Sequence, residues 1–279
     1  MHGIENGYLE QKFETWTEFA EYVQTMMLNY NDCIWRGQRK QIWNLSSTLD
    51  RKCNSLWYDP LESARLQKAH LNNFKLSARG KISLADAKGM EDNEWWALGQ
   101  HHGLATPLLD WTESPFVAAF FAFSEQPPPL EPPNQYRAVY FLHETSAEKV
   151  DSSNTAHKES IQLIKELEKS TSTLATTSQP HETEREIEFI RPMASENPRL
   201  VSQRGLFVAC RAASIEDWVR TNFANETTNI VLQKSLIPEH DREIALKSLN
   251  RMNINHSTLF PDLDGASRHI NLSLDIPYY

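Results

Sequence analysis

The sequence predicts a single α+β domain, and three observations support this prediction. Helix-like and strand-like segments follow one another irregularly, without the regular βαβ order of a parallel α/β fold. No G-x-G-x-x-G fingerprint is present, which argues against a dinucleotide-binding Rossmann fold. The 279 residues are 40% hydrophobic and 23% charged, a composition typical of a folded chain with a full core. We therefore expect one mixed domain over residues 1–279.

The first half of the chain begins with an amphipathic helix. Thr15 and Glu18 form a capping-box pair ahead of apolar residues at helical spacing, which predicts a helix over residues 14–30. A short apolar strand, residues 33–37, follows and ends in arginine and glycine. The further elements predicted here are an extended segment at 104–111 and helices that begin at Asp59-Pro60, at Asn93 and at Ser114-Pro115.

The second half contains a proline-rich connector and an insertion. Residues 126–133 are predicted as an extended surface loop, because successive prolines cannot continue a helix. Residues 144–184 are interpreted as a flexible insertion, since the Ser/Thr-rich stretch 170–183 can bury little apolar surface. Strands are predicted at 137–142, 186–191, 206–211 and 229–236, with short helices near 214–221 and 241–252.

Charge and hydropathy exclude several classes of function. The net charge of −9 argues against bulk, sequence-blind attraction to nucleic acid or anionic lipid, although a local basic pocket stays compatible with it. The longest apolar run, Phe116–Phe123, is far shorter than the ~20 residues that span a bilayer. The three cysteines are scattered, so neither a metal site nor a disulfide framework is expected. The N-terminus resembles no secretion signal, and we expect a cytoplasmic protein that does not bind membranes.

The first candidate cluster is Trp35-Arg36-Gly37-Gln38. An arginine at the end of a buried strand needs an anion or a set of carbonyl groups, because an unpaired buried guanidinium is costly. Two interpretations follow: Arg36 grips a phosphate or carboxylate bidentately, or it forms an internal salt bridge, for example with Asp110. Gly37 would allow a ligand or another backbone to approach closely.

The second cluster runs from Gln100 to Thr112 and leads into Ser114. Neighbouring His101 and His102 point to different helix faces, so a metal bound by both is not expected. One of them acts as a general acid or base, or both are merely hydrogen-bonded near a helix end. Asp110 could orient a histidine, stabilise a developing cation or pair with Arg36. Trp111 either stacks on a planar ring or belongs to the core. A third cluster, 202–205, again sets polar residues and glycine before an apolar strand.

Together these clusters resemble the FRG domain family, which is named for a Phe/Tyr-Arg-Gly motif. Here the motif reads Trp35-Arg36-Gly37, with tryptophan in the aromatic position. The resemblance extends from about residue 31 to residue 270. Its other motifs are similar to Trp43-Asn44-Leu45, Leu49-Asp50-Arg51, Gln100-His101-His102-Gly103, Leu109-Asp110-Trp111-Thr112, Gln203-Arg204-Gly205-Leu206-Phe207 and Leu259-Phe260-Pro261-Asp262-Leu263-Asp264-Gly265.

FRG domains have been suspected of similarity to ADP-ribosyltransferases. That resemblance implies a split, mostly antiparallel sheet surrounded by helices, with NAD held in a cleft as the substrate. A strand-end arginine would bind the NAD phosphates, and Gln203 stands where a glutamate that holds the ribose is expected. Glutamine offers no negative charge to an oxocarbenium-like transition state, so either Asp110 supplies that charge or catalysis is altered or lost. The catalytic residues implied are Arg36, Asp110, Gln203 and His102. The NAD-binding residues implied are Arg36, Gly37, Gln38, His101, Thr106, Trp111, Thr112 and Ser114.

Three functions follow as hypotheses. The first is an NAD-dependent ADP-ribosyltransferase or NAD glycohydrolase that serves as a toxin or antiviral defence effector. It would modify a macromolecular acceptor (RNA, DNA or protein) and have an antitoxin or regulatory protein as partner. The second is a noncatalytic module that binds a nucleotide or a partner. The third is a metal-independent ribonuclease with His101 or His102 as acid and base.

Overall fold

The computed structural model confirms the α+β class. It describes residues 3–56, 60–83, 87–126, 135–154, 156, 185–192 and 198–279. Over these residues a seven-stranded sheet is covered by helices on both faces. The predicted proline-rich loop, apart from its first residue, and most of the predicted insertion lie outside the described residues.

The sheet is open and mostly antiparallel. Its strands are β1 (Tyr8–Lys12), β2 (Cys33–Gln38), β3 (Leu108–Thr112), β4 (Tyr136–His143), β5 (Ile187–Ile190), β6 (Gly205–Cys210) and β7 (Leu232–Pro238). The strand order across the sheet is β1-β7-β4-β2-β3-β6-β5, and among the pairings between described strands only β1–β7 is parallel.

The two halves of the sheet meet at a narrow joint between β2 and β3. Strands β2 and β4 pair over six positions, and β3 and β6 pair over five. Between β2 and β3, in contrast, Trp35 and Thr112 form a single register pair. Beyond that pair the two strands diverge, so the sheet opens where Arg36 and Asp110 stand.

Helices bury both faces of the sheet. The described helices are α1 (Trp16–Thr25), α2 (Thr48–Ser55), α3 (Pro60–Ser77), α4 (Asp92–His101), α5 (Pro115–Phe123), α6 (residues 144–154), α7 (Pro198–Ser202), α8 (Ile215–Asn222), α9 (Arg242–Arg251), α10 (His256–Leu259) and α11 (Leu263–Asp275). One face of the sheet packs against α1, α5, α9 and α11, and the other packs against α6, α8 and the segment around Leu45. The half of the sheet formed by β3, β6 and β5 is covered by α2, α3 and α4. None of the described helices is long and apolar enough to cross a membrane.

Helix α5 lies unusually close to β2, and Gly37 makes this approach possible. A Cβ atom on Gly37 would fall 1.9 Å from the Ala118 carbonyl oxygen and 2.6 Å from the Ala122 nitrogen. Both are backbone atoms of α5, and the glycine has no positive φ. The backbone that approaches Gly37 is therefore that of the helix packed on its strand.

The structure corrects several sequence predictions. The helix predicted over 14–30 is α1 alone, followed by a short 3-10 turn at Met27–Asn29. The segment 144–154, predicted as part of the insertion, is a helix that buries Ala147 in the core. Strand β1 and helix α2 were not predicted: β1 is an edge strand of half-buried, mostly polar residues, and α2 begins with a Ser47 cap on a polar segment.

Candidate ligand-binding site

A cavity of about 770 Å³ opens at the joint between β2 and β3. This volume lies within the range of small-molecule and cofactor sites. Its walls come from the end of β2, the loop after it, the end of β3, the end of α5 and the segments before β6 and α11. The lining residues are Trp35, Arg36, Gly37, Gln38, Arg39, Ile42, Trp43, Asn44, Ser46, Arg51, Asp110, Trp111, Thr112, Phe121, Glu125, Gln203 and Phe260.

Arg36 stands at the point where the two strands separate. Its Nη1 donates a hydrogen bond to the main-chain carbonyl oxygen of Asp110, in place of a further ladder bond between the strands. The Asp110 carboxylate lies 3.8 Å from the same nitrogen. Burial lowers the pKa of Arg36 from its usual value, and the nearby Asp110 charge opposes that shift. The Nε atom of Arg36 is buried and has no hydrogen-bond partner among the described residues.

Asp110 presents its carboxylate to solvent at the mouth of the cavity. The side chain is 69% exposed, and its Oδ1 accepts a hydrogen bond of 2.7 Å from Gln100 Nε2. The buried Thr106 hydroxyl in turn donates to the side-chain amide oxygen, Oε1, of Gln100. Thr106 thus orients the side chain of Gln100, which in turn holds the Asp110 carboxylate. Thr106 itself does not line the large cavity. Sequence reasoning did not assign a role to Gln100, although it directly precedes the two histidines.

Thr112 and Ser114 fix the turn that leaves β3. The buried Thr112 hydroxyl donates to the main-chain carbonyl of Gln203 at 2.6 Å and accepts from the Ser114 nitrogen at 3.1 Å. Ser114 caps α5 through its hydroxyl, which accepts from the Val117 nitrogen. Thr112 lines the cavity, whereas Ser114 positions the helix beside it.

Gln203 reaches the cavity with its amide already engaged. Its Nε2 donates to the Leu259 carbonyl at 3.1 Å and thereby ties the turn before β6 to α10.

Gln38 and Trp111 each leave one buried polar atom without a partner among the described residues. The Nε2 atom of the buried Gln38 donates to the main-chain carbonyl of Asn44 at 3.4 Å, and Gln38 Oε1 has no partner among the described residues. Trp111 is 3% exposed and packs in the core, yet it lines the cavity, and its Nε1 is buried without a partner in the described part of the chain.

His101 and His102 are not brought to the cavity. Both are exposed at the C-terminal end of α4, where their rings lie 5.0 Å apart in an edge-to-face arrangement. Burial lowers the pKa of His101, with smaller contributions from His102 and Arg199. Neither histidine lines the cavity that holds Arg36 and Asp110. Among the described residues, no group of three potential metal ligands is present.

The cavity contains further cations and a tryptophan that sequence reasoning did not select. Arg39 and Arg51 line it together with Arg36, and Trp43 lies on its rim. The guanidinium of Arg39 is 5.3 Å from the centre of the Trp43 ring and 3.7 Å from the Glu125 carboxylate. Trp43 and Arg51 stood within motifs of the resemblance but carried no assigned role, because nothing in their spacing indicated that they share a cavity with Arg36.

Comparison with known proteins confirms the resemblance for the part of the chain that forms most of this site. Residues 31–129 match the model of the FRG domain. The matched range includes β2, the loop after it that carries Trp43, β3 and α5, and with them Arg36 and Asp110. Gln203 and the segment 259–265 lie outside it. The chain has no significant match among curated proteins or among solved structures.

Proposed function

We propose that the cavity binds NAD and that the protein is an ADP-ribosyltransferase or NAD glycohydrolase. The observation that carries the proposal is that two residues lining one cavity, Arg36 and Trp111, each have a buried donor, Nε and Nε1, without a partner among the described residues. Buried donors are nearly always satisfied, so two of them on residues that line one cavity favour a ligand that supplies acceptors. A pyrophosphate, rich in anionic oxygens, suits a guanidinium best.

The remaining walls suit the other parts of NAD. The Arg36 guanidinium favours the phosphates, and Trp35 and Trp111, which line the cavity, offer aromatic contacts for the adenine and nicotinamide rings. Trp111 would border the nicotinamide, since His102 does not line the cavity. The volume of about 770 Å³ is sufficient for a dinucleotide held in part at the surface.

The chemistry would depend on Asp110. The bond between nicotinamide and ribose breaks, its electron pair leaves with the neutral nicotinamide, and positive charge develops on the ribose. The Asp110 carboxylate, oriented by Gln100, would stabilise that charge. An acceptor hydroxyl, amine or water then bonds to the ribose carbon and releases a proton. Roles as a toxin or defence effector, with a neutralising partner protein, belong to this proposal.

A second candidate, a noncatalytic nucleotide-binding module, is favoured by Gln203. Its amide is used in a bond to the Leu259 carbonyl, and it carries no charge. The same cavity would then bind NAD or a related nucleotide without cleaving it. The ribonuclease hypothesis has less support, because His101 and His102 lie outside the cavity and face solvent.

Isothermal titration with NAD tests the proposal directly. We expect the wild type to bind, and Arg36→Ala to bind at least about tenfold more weakly, because a charge-assisted contact with phosphate is lost. Arg220→Gln is the matched control: this exposed arginine stacks on Tyr8, outside the cavity. Absence of binding by the wild type would overturn the proposal.

Nicotinamide release separates the two candidates. We expect the wild type to release nicotinamide from NAD, measured by chromatography, and mass spectrometry of cellular RNA, DNA and protein to find added ADP-ribose after expression. NAD binding without release, and without any modified acceptor, would instead identify the binding module.

A further inference from the structure

We propose that the acceptor is a single-stranded nucleic acid, bound along a basic strip beside the cavity. The basic strip consists of Arg39, Lys40, Trp43, Arg51 and Lys52. The inference rests on the proposed function, because it names the acceptor class for that same site. Its support is a second cavity, a fixed aromatic platform and a local excess of positive charge.

The second cavity lies directly beside the first. It has a volume of about 340 Å³, and Arg36, Arg51 and Asp110 line both cavities. Its other walls include Lys52 and Thr48 of α2, together with Gln100. The contact between Arg36 and Asp110 thus stands between two spaces. If NAD occupies the larger cavity, the smaller cavity still gives access to the Asp110 carboxylate. An acceptor needs such access, because it must reach the ribose while NAD is bound.

Trp43 forms an aromatic platform at the entrance to the larger cavity. Its side chain is exposed, with a fractional exposure of 42%. Two cations of the strip accompany the ring: Arg39 lies 5.3 Å from its centre and the Lys40 ammonium 5.4 Å. Aromatic rings interleaved with cations are typical of surfaces that bind single strands, where bases stack and phosphates pair with cations.

The loop that carries Trp43 is held by the core. The buried Tyr140 hydroxyl donates to the Trp43 carbonyl at 3.1 Å. The Leu45 nitrogen donates to both carboxylate oxygens of Glu216, at 3.1 and 2.9 Å, and the Leu45 carbonyl accepts from the Ile215 nitrogen. Burial raises the pKa of Glu216, and the bonds from the backbone oppose that rise. The platform is therefore preorganised, which lowers the entropic cost of binding.

The local charge is opposite to that of the whole chain. Four cations, Arg36, Arg39, Arg51 and Lys52, line the two cavities, against the carboxylates of Asp110 and Glu125. Glu125 already lies 3.7 Å from Arg39. The site has a surplus of two positive charges within a chain of net charge −9. An acidic chain with a basic strip at its cavity attracts a polyanion to that place and repels it elsewhere.

A single strand fits these features better than a duplex or a protein. An exposed ring stacks on an unpaired base, and a duplex hides its base faces. A protein acceptor would need no row of cations, and the exposed Ile42 beside Trp43 is a small apolar area for a protein interface. A protein acceptor is an outcome that the test below distinguishes.

The test measures binding of fluorescein-labelled single strands of about 12 nucleotides, DNA and RNA, by fluorescence anisotropy. We expect Trp43→Ala to weaken binding about tenfold or more, and Trp43→Phe to retain most of the affinity because it keeps a stacking ring. Lys52→Gln should weaken binding of all sequences and reduce the salt slope by about one between about 50 and 200 mM salt. The exposed Lys149→Gln, on α6, is the matched control and should change neither.

The outcomes separate this inference from the proposed function, because NAD binding is measured by titration on the same preparations. NAD binding without binding of either strand overturns the inference and leaves the proposed function standing. Strand binding that is unchanged in both Trp43→Ala and Lys52→Gln also overturns it. ADP-ribose found only on protein overturns it as well. Strand binding that depends on both residues, in a protein that also binds NAD, supports it. Such strand binding without NAD binding overturns the proposed function and with it the role of the strand as acceptor, and it leaves a strand-binding surface only.

Discussion

Arg36 donates its hydrogen bond to the main-chain carbonyl of Asp110, while the Asp110 carboxylate lies 3.8 Å from the same nitrogen. The arginine is therefore held by the backbone of β3, whatever the side chain at position 110. The carboxylate is held by Gln100 and is largely exposed at the cavity mouth. Of the two interpretations of Arg36, an internal partner and a ligand-binding role, the geometry accommodates both: one nitrogen is bonded within the fold, and Nε is left unpartnered.

This division of roles predicts the behaviour of Asp110→Asn. The variant should fold with a change of less than about 1 kcal/mol in unfolding free energy, because the Asp110 carboxylate is exposed and 3.8 Å from Arg36, which keeps its hydrogen bond to the Asp110 main-chain carbonyl. Nicotinamide release should fall at least ~100-fold, because a charge at the developing cation is lost. Glu125→Gln, which removes the other cavity carboxylate, is the control and should retain most activity. Equal turnover in wild type and Asp110→Asn would exclude a catalytic role for Asp110.

Gly37→Ala should destabilise the fold by about 3 kcal/mol. The added methyl group would overlap backbone atoms of α5, which cannot rotate away as a side chain would. Urea unfolding measures the loss. Gly3→Ala is the matched control, since no atom lies within 4 Å of the added carbon, and we expect a change within about 0.5 kcal/mol. A small effect at Gly37 would show that α5 can move away from β2.

Gln203→Glu introduces the residue that the resemblance leads one to expect, and it should lower stability by about 1–3 kcal/mol. The carboxylate cannot donate to the Leu259 carbonyl, and it places negative charge against that oxygen. Thermal unfolding at neutral pH measures the change, with the exposed Gln126→Glu as control. If Gln203→Glu is as stable as the wild type, the bond to Leu259 contributes nothing, and the amide is free to orient a ribose.

Stability should fall on acidification, in part through His256. Burial, together with the nearby Arg268 and His269, lowers the pKa of His256 to about 4. In the unfolded chain its pKa is about 6.5, so the unfolded state binds the proton first as the pH falls. His256 therefore does not lower the unfolding free energy above pH ~6.5. As the pH falls from ~6.5 towards 4, the unfolding free energy decreases progressively through this residue, and the loss is about 2 kcal/mol at pH 5.

The variant His256→Gln checks this assignment. Because glutamine does not titrate, the difference in unfolding free energy between wild type and variant should shrink by about 2 kcal/mol from pH 7 to pH 5. Urea unfolding at both pH values gives this difference, which cancels the other titrating groups. A difference that stays constant with pH would assign the acid sensitivity elsewhere. The loss of ring contacts with Phe120 and Phe260 lowers stability equally at both pH values.

Local sequence signals predicted much of the fold and part of the site. The Ser114 cap with Pro115 correctly placed the start of α5, because capping and proline geometry act within one turn. The strand predicted at residues 33–37 is β2, which runs one residue further, to Gln38. Arg36, Asp110 and Trp111 were candidates from the residues alone, Thr112 and Gln203 were implied by the family resemblance, and all five line one cavity.

Features that depend on distant contacts were not predictable. Gly37 was interpreted as room for a ligand or a backbone, and only the packing of α5 shows which one fills it. Edge strand β1 owes its pairing to β7, more than 200 residues later in the chain. The adjacent His101 and His102 suggested chemistry, but both are exposed at the C-terminal end of α4, outside the cavity. The positions of Arg51 and Trp43 in the cavity wall likewise depend on the packing of α2 and of the loop after β2 beside the joint.

The single register pair between Trp35 and Thr112 determines where the cavity lies. The two main chains separate after this pair, so the position of the opening follows from the pairing of the strands and not from the side chains around it. Substitutions of the lining side chains would therefore change which ligand or acceptor the cavity accepts and would leave the opening in place.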